Sequence, residues 1–540
     1  MTEISYAIVA AKTLPGYEFL GLVSLGMDIS SYYSFIHQAA EGHWLFRNNM
    51  THLDCDRAFF NLQWLIVGKC MGWFAWTPQF TFKVWRFAGA IVLMLGFAPL
   101  VVVVLPKMWQ RVTAMMMFAF GGGFGWVLAI LGTIGIVDTR NSFGLRNPAI
   151  DLITAIHPFA QVLKNPHYSL PHGIFLLFIT LYIRGEQTKR ARWYIAAAIV
   201  ANVQGLMRPY DLITICAVLP AFVAVELLRT WNMTPRVAFL RLLPAMASLP
   251  QFGYYYYIFS IHPVFKYWAS QGDQPPTSIF WYTLGLGLAG ILFIWRLLRS
   301  RHEPFATSTE RFFVVMAIVI FGLFHGNHLK FLGTKLFSFS PQVGIPILAP
   351  LILIGIGMLP VAAELLRLIR PKRKLIALAA FLIVNAFGSA LYVTWNANLG
   401  TIIPRNFLRT SDVEAMSWLK GHVKPDDLVL SSEAFGSRIS YLMSVRVALG
   451  HWALTPDVKT LDKRFARFVE GDMPRGKAEE FIDEIRPKFI YVGNALDAED
   501  PAYFRKIARA TLVFSNGDVA IYEITPSNKT ILEREIASTP

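Results

Sequence analysis

The sequence predicts a polytopic α-helical membrane protein of about eleven transmembrane helices with a small α/β domain at its C-terminal end. Three observations predict it. The chain is 54% hydrophobic and only 16% charged, with a mean hydropathy of +0.44, outside the profile of soluble globular proteins. Apolar runs of about 20 residues, each long enough to cross a bilayer, recur along the first 396 residues. Beyond Asn396 the pattern changes to short strand-like runs that alternate with helix-like ones.

Taken in order, the predicted spans fall near 4 to 26, 85 to 106, 112 to 136, 170 to 184, 192 to 207, 210 to 229, 238 to 258, 279 to 299, 311 to 325, 343 to 366 and 374 to 396. Lys12, Pro15 and Glu18 interrupt the first. Basic clusters occupy alternate connections, as orientation signals do: Lys107 with Arg111; Arg184 with Lys189, Arg190 and Arg192; Arg229 with Arg236 and Arg241; Arg296 with Arg299 and Arg301; and Arg367 through Lys374. These loops, with the N-terminus, are expected to be cytoplasmic. Residues 27 to 84, 137 to 169, 204 to 211, 259 to 278 and 326 to 342 then face outward, together with everything after 396. The apolar run 58 to 76 breaks this alternation if it spans, so it reads as a juxtamembrane helix. Strand-like runs at 428 to 430, 489 to 493, 511 to 515 and 518 to 524 place a small α/β fold over 405 to 526. The expected domains are a membrane module, 1 to 396, with a first outer loop 27 to 84, and an extracytoplasmic domain with its tail, 397 to 540.

Several function classes are excluded. The net charge of +15 lies in loop clusters rather than on a binding face, which argues against nucleic acid. Cys55, Cys70 and Cys216 have neither paired spacing nor metal-ligand spacing. Residues 4 to 26 lack the basic start and small-residue site of a cleavable signal peptide. Walker, Rossmann and GxSxG signatures are missing, which argues against ATP-driven transport, nicotinamide chemistry and a serine hydrolase. GGGFG at 121 to 125 sits in an apolar run and suits close helix packing better than a phosphate cradle.

The unusual polar residues gather in the outer loops. Asp28, in LGMDISSYYSFIHQAAEGHWLF, precedes Ile29, Tyr32, Tyr33, Ile36 and Ala40 at helical spacing, so it reads as the N-cap of an amphipathic interfacial helix and, equally, as an acid at the membrane mouth that can serve as a general base. The stretch 137 to 172 carries Arg146, Asn147, Asp151, His157, Lys164, His167 and His172. RPYD sets Arg208 and Asp211 at the end of a span, either paired with each other or turned to a ligand. HGNHLKFLGTK adds His325, His328, Lys330 and Lys335. Outward cations oppose the positive-inside trend, and a lipid phosphate is their natural partner. The histidines have no fixed metal spacing and read equally well as packed, hydrogen-bonded residues. Trp44, Tyr168 and Trp452 are sugar-stacking candidates or ordinary interfacial aromatics.

PGYEFLGL, the Asp at the membrane mouth, SYYSFIHQAAEGHWLF, the juxtamembrane helix, RPYD, HLKFLGTKLFSFSPQVGIPIL and ALGHWALTPDVK together resemble the GT-C class of polyprenyl-phosphate-sugar-dependent membrane glycosyltransferases, and more narrowly a bacterial subgroup of it. The similarity covers most of the chain. It implies a multi-pass protein of the bacterial inner membrane that takes a lipid-linked sugar donor and moves the sugar, with inversion, to a glycan, lipid or protein acceptor on the extracytoplasmic face. It assigns the catalytic carboxylate to Asp28 and makes a divalent cation, Mg or Mn, a possible cofactor. Many members have Asp-Glu at that position; here Ile29 follows. By the same resemblance Arg208, His328, Lys330 and Lys335 become candidates for the donor phosphate. Tyr33, His157, His167, His172, Asp211, His451, Trp452 and Asp457 become candidates for the substrate cavity, the last three on a loop reaching back from the terminal domain. Two rival readings are a transporter or flippase of a lipid-linked glycan and a non-catalytic envelope-assembly protein.

Overall fold

Three of the bundle helices begin on one two-residue signal. Thr77-Pro78, Asn165-Pro166 and Thr234-Pro235 open helices α4 (Pro78–Val104), α8 (Pro166–Thr188) and α11 (Pro235–Tyr256). In each the Thr or Asn side chain accepts a free backbone N–H while proline, which has none to lose, supplies the helical φ. The computed structural model describes residues 2–23, 26–136, 156–268, 279–325, 345–366, 387–395, 406–493 and 509–525.

The remaining helices in this part are α1 (Thr2–Ala11), α2 (Gly26–Ala40), α3 (Leu62–Trp73), α5 (Met108–Phe120), α6 (Gly125–Thr133), α7 (Pro158–Lys164), α9 (Ala191–Met207), α10 (Tyr210–Thr230), α12 (Ile279–Arg299), α13 (Ser308–His325), α14 (Leu348–Gly355) and α15 (Leu359–Leu366). Among the described residues five helical stretches are long and apolar enough to cross a membrane: 78–104, 108–132, 210–230, 308–325 and 345–362. They coincide with predicted spans, and α8, α9, α11 and α12 fall on four more. The protein is a membrane protein built as a helical bundle.

The tightest packing in that bundle joins α4 to α8. Gly96 and Gly173 lie backbone against backbone, so that a Cβ on either would overlap a main-chain carbonyl of the other helix, at Gly173 and Val92 respectively. Small residues allow this approach where no hydrophobic drive between helices is available. At one end of the bundle a buried ion network joins five helices. Arg241 of α11 makes two bonds to Glu186 of α8, 2.8 and 2.6 Å, Tyr194 of α9 donates to the same carboxylate, and Arg311 of α13 grips Glu226 of α10. Paired geometry of this kind is what lets buried charges persist. This end carries the basic clusters expected to be cytoplasmic, and Asp28 lies toward the other.

The first predicted span is not one helix. α1 stops at Ala11, Gly16 takes a left-handed φ of +81°, and Tyr17–Phe19 forms strand β1, which pairs antiparallel with β2 (Phe407–Arg409). Pro15 and Gly16 end the helix, and the half-polar Tyr17-Glu18-Phe19 suits a short strand. Within the stretch 108–132 the helix is interrupted: α5 ends before Gly121, and Gly123 lies so close to Leu284 and Gly285 of α12 that no side chain fits there. The amide of Phe124 donates to the Leu284 carbonyl, 2.9 Å.

After β2 come a helix over Thr410–His422, β3 (Leu428–Leu430), a helix over Glu433–Leu442, β4 (Arg446–Val447), helices over Val458–Val469 and Arg475–Ile485, β5 (Phe489–Gly493), β6 (Ala510–Ser515) and β7 (Val519–Ile524). The last five strands form one sheet in the order β4-β3-β5-β7-β6, parallel across β4, β3 and β5 and antiparallel across β5, β7 and β6. Leu430, Ile490 and Tyr522 of this sheet pack with Leu461, Phe465, Phe481 and Ile482 of the domain's own helices, and a second cluster is shared with the membrane module. Ile29, Tyr33, Phe35 and Ile36 of α2 and Trp64 of α3 share one apolar cluster with Val429, Ile439, Tyr441, Val447 and Tyr491. α2, expected as an amphipathic interfacial helix, is therefore buried on all sides from Ile29 to Ala39, between α3 and the helix Glu433–Leu442.

Candidate active site

Asp28 stands in the first turn of α2, two residues inside the helix start at Gly26, so it is not the cap that its sequence position predicts. Its carboxylate keeps 31% of its surface open to solvent, and its Oδ1 lies 3.0 Å from Nε2 of His451, whose side chain is 4% exposed. The amide of Ala453 donates to the other ring nitrogen of His451, Nδ1, at 3.2 Å. Nδ1 is thus an acceptor, the proton belongs to Nε2, and Nε2 donates to Asp28.

One helical turn on, Tyr32 faces the same way as Asp28. Burial, with Tyr168 and Asp28 close by, pushes the Tyr32 phenol well above its ordinary range, so it stays protonated. Its hydroxyl accepts from Asn165 Nδ2 at 3.4 Å, and Tyr168, in the first turn of α8, lies close by. The guanidinium of Arg208 lies 5.8 Å from the ring centre of Tyr168. Arg208 in turn donates to Asp211 Oδ1 at 2.8 Å, with the side chains 0% and 1% exposed, and Gln204 donates to the second oxygen of Asp211. The Asp28–His451 pair and the Arg208–Asp211 pair thus flank Tyr32 and Tyr168, both of which feel the charge of Asp28, and of the two acids it is Asp28 that is open to solvent.

The other expected cavity residues divide between packed positions around this site and exposed ones. Tyr33 is fully buried, its hydroxyl donating to the Pro78 carbonyl at 2.7 Å and its ring against Tyr441, because the residue after Tyr32 is turned about 100° round the helix from it. His157 is buried at the start of α7. His167 is held by Gln63, 3.1 Å, and its ring lies against Tyr32 and Trp64, while His172 is held by Gln161, 3.1 Å. These three histidines are packed residues of the end of the bundle toward which Asp28 lies. Asp457 is exposed, with a left-handed φ of 48°, and its carbonyl caps the helix Val458–Val469 through Thr460 and Leu461. Trp452, beside His451, is 42% exposed with ring centres 5.5 Å apart, and Trp44 is exposed under Lys69. His328, Lys330 and Lys335, and with them Arg146, Asn147 and Asp151, lie outside the described residues.

Sequence reasoning missed Tyr32 and Gln204. Both were findable by helical spacing: Tyr32 is four residues after Asp28, and Gln204 four before Arg208. Among the described residues no group of three or more His, Cys, Asp or Glu could hold a metal ion, and Ile29 follows Asp28 in the chain.

The structure superposes on the Archaeoglobus fulgidus oligosaccharyltransferase in its apo form over 98% of this chain and 74% of that one, with a TM-score of 0.53 and 12% identity. The same archaeal enzyme, AglB, in complex with an inhibitory peptide and a dolichol-phosphate, aligns over 98% and 74%, with a TM-score of 0.51 and 12% identity. ArnT from Cupriavidus metallidurans bound to undecaprenyl phosphate aligns over 97% and 98%, with 14% identity and a TM-score of 0.49. No family model and no curated protein sequence matches the chain. At 12% identity the likeness reaches to the fold and no further. On that likeness the chain has the GT-C fold seen in the archaeal oligosaccharyltransferase.

Proposed function

We propose that this protein is a membrane glycosyltransferase that moves a sugar from a polyprenyl-phosphate donor to an acceptor hydroxyl, with Asp28 as the general base. One observation carries the reading. A single carboxylate, 31% exposed, is fixed on one oxygen by a buried histidine, in a fold whose archaeal representative is seen with a dolichol-phosphate. The acceptor oxygen attacks the anomeric carbon, and the bond from that carbon to the phosphate oxygen breaks with its electron pair going to the lipid phosphate. The acceptor proton passes to Asp28, and a single displacement inverts the anomeric centre. No step is routed through a metal. His328, Lys330 and Lys335 are proposed from the sequence for the donor phosphate. Arg208, engaged by Asp211, supports the site from behind Tyr168. We place the reaction on the extracytoplasmic face of a bacterial inner membrane, with the C-terminal domain on the same side.

The test is Asp28→Asn in the full-length chain, assayed by release of polyprenyl phosphate from a polyprenyl-phosphate-linked hexose. Turnover should fall by about 100-fold or more while the donor still binds, since a general base contributes about 10²- to 10⁴-fold. A flippase would still move the lipid, and an assembly protein would be indifferent; undiminished turnover in this variant would sink the assignment.

A further inference from the structure

We propose that the C-terminal domain is a working part of the active site: it delivers His451 as a positioning residue that sets which oxygen of Asp28 meets the acceptor. The proposal rests on Asp28 being the base. Because Nδ1 of His451 is occupied by the Ala453 amide, the ring presents one N–H, and that N–H is aimed at Asp28 Oδ1. No described residue bonds to Oδ2. The histidine therefore anchors one lobe of the carboxylate and leaves the other for the acceptor hydroxyl.

The loop that carries His451 is itself latched to the first outer loop. Thr455 Oγ1 donates to the Met50 carbonyl at 2.6 Å and accepts the Gly450 amide at 3.1 Å. The side chain of Asn48 donates to the Leu454 carbonyl at 2.7 Å, and Ser437 holds the Gly450 carbonyl at 2.7 Å. Gly450 packs so near Met50 that an added Cβ would stand 2.9 Å from Met50 Cγ. The amides of Leu454 and Thr455 close back on the His451 carbonyl, 2.9 and 2.8 Å, which fixes the turn from which the ring projects. Each tie is short and local, and together they convert the docking of a separate sheet domain into the position of one N–H beside one carboxylate. A misplacement of about 1 Å at a reacting group can cost about 100-fold in rate, which gives such a latch its leverage.

The experiment uses the full-length chain and the polyprenyl-phosphate-linked hexose assay. His451→Ala should lower kcat about 10- to 100-fold with KM for the donor unchanged. His451→Gln, whose amide N–H reaches the same place, should recover most of that loss, a rescue that a merely structural role does not predict. Thr455→Val, which touches neither Asp28 nor donor, should also lower kcat, and Thr455→Ser should not. Should an alanine variant fail to fold, ¹⁵N spectra of His451 in the native protein decide the matter: an Nε2–H tautomer at neutral pH supports the proposal, and an Nδ1–H tautomer overturns it. Wild-type turnover in both His451 variants overturns it as well, and leaves the base assignment standing as long as Asp28→Asn is inactive.

Discussion

Arg208 and Asp211 close an ion pair, 2.8 Å between Nη1 and Oδ1, one helical turn apart and shut off from solvent on both sides. Removing one partner takes the countercharge from a buried ion, which costs about 3 to 5 kcal/mol, whereas replacing both with apolar residues of similar size is often nearly neutral. Asp211→Leu or Arg208→Met alone should therefore lower the unfolding midpoint of the detergent-solubilised chain more than the double substitution does. A double variant less stable than either single one would show that the pair is not the unit of stabilisation.

The glycines of the bundle divide into two classes by what surrounds them. Gly96→Ala and Gly173→Ala place a methyl into a main-chain carbonyl across the α4–α8 contact and should each cost about 1 to 3 kcal/mol. Gly322, in α13, has nothing within 4 Å of its missing Cβ. Gly322→Ala should leave stability unchanged or raise it by up to about 1 kcal/mol, because alanine is the better helix former. Thermal unfolding of the three variants checks the contrast, and equal losses would refute it.

His37 gives the fold a pH dependence that can be isolated. Its Nε2 lies 3.0 Å from the Tyr441 carbonyl, and burial lowers its pKa from 6.5 to about 4. The native chain keeps the ring neutral where the unfolded chain takes up a proton. This contribution to stability is present in full above about pH 6.5 and is lost as pH falls toward about 4, at about 1.4 kcal/mol per unit. His37→Gln keeps an N–H for the carbonyl and removes the titration, so its stability should depend less on pH across that window. Parallel pH profiles for the two proteins would remove His37 from the account.

Docking of the terminal domain has an electrostatic component at its rim. Arg47 Nη2 lies 2.5 Å from Asp426 Oδ1, and that hydrogen bond holds the Asp426 carboxyl below the usual carboxylate range. A depressed acid stabilises above its unfolded pKa and loses the effect as pH falls through its folded value. The pair is solvent-exposed on the Asp426 side, so it is worth less than about 1 kcal/mol and weakens with salt. Asp426→Asn should speed hydrogen exchange modestly at the Val447 amide, which bonds to the Asn49 carbonyl, and added salt should erase the difference between variant and parent. A difference that persists at high salt would point to packing instead.

Much of the bundle was legible because each span carries its signal locally. The apolar runs behind α4, α10 and α13, and the Thr-Pro and Asn-Pro starts, need no knowledge of distant partners. Asp28 was legible for the same reason, as an acid out of place. Errors came where a partner lies far along the chain. Tyr17–Phe19 is a strand because Phe407–Arg409 offers it an edge, and α2 is buried on every side because the helix Glu433–Leu442, more than half the chain away, covers the face that its pattern leaves to solvent. The meeting of Asp28 with His451 has the same character: both residues stood out, and nothing local joins them.

The pairing of β1 with β2 brings the beginning of the described chain against the threshold of the terminal domain. Thr410 adds a further bond, its amide donating to the Gly16 carbonyl at 2.8 Å. The helices between them are thus enclosed in a loop whose two ends are buttoned together outside the bundle. A truncated chain that stops before residue 406 would lose that clasp along with the domain, so what remained would be an opened form of the protein rather than a smaller version of it.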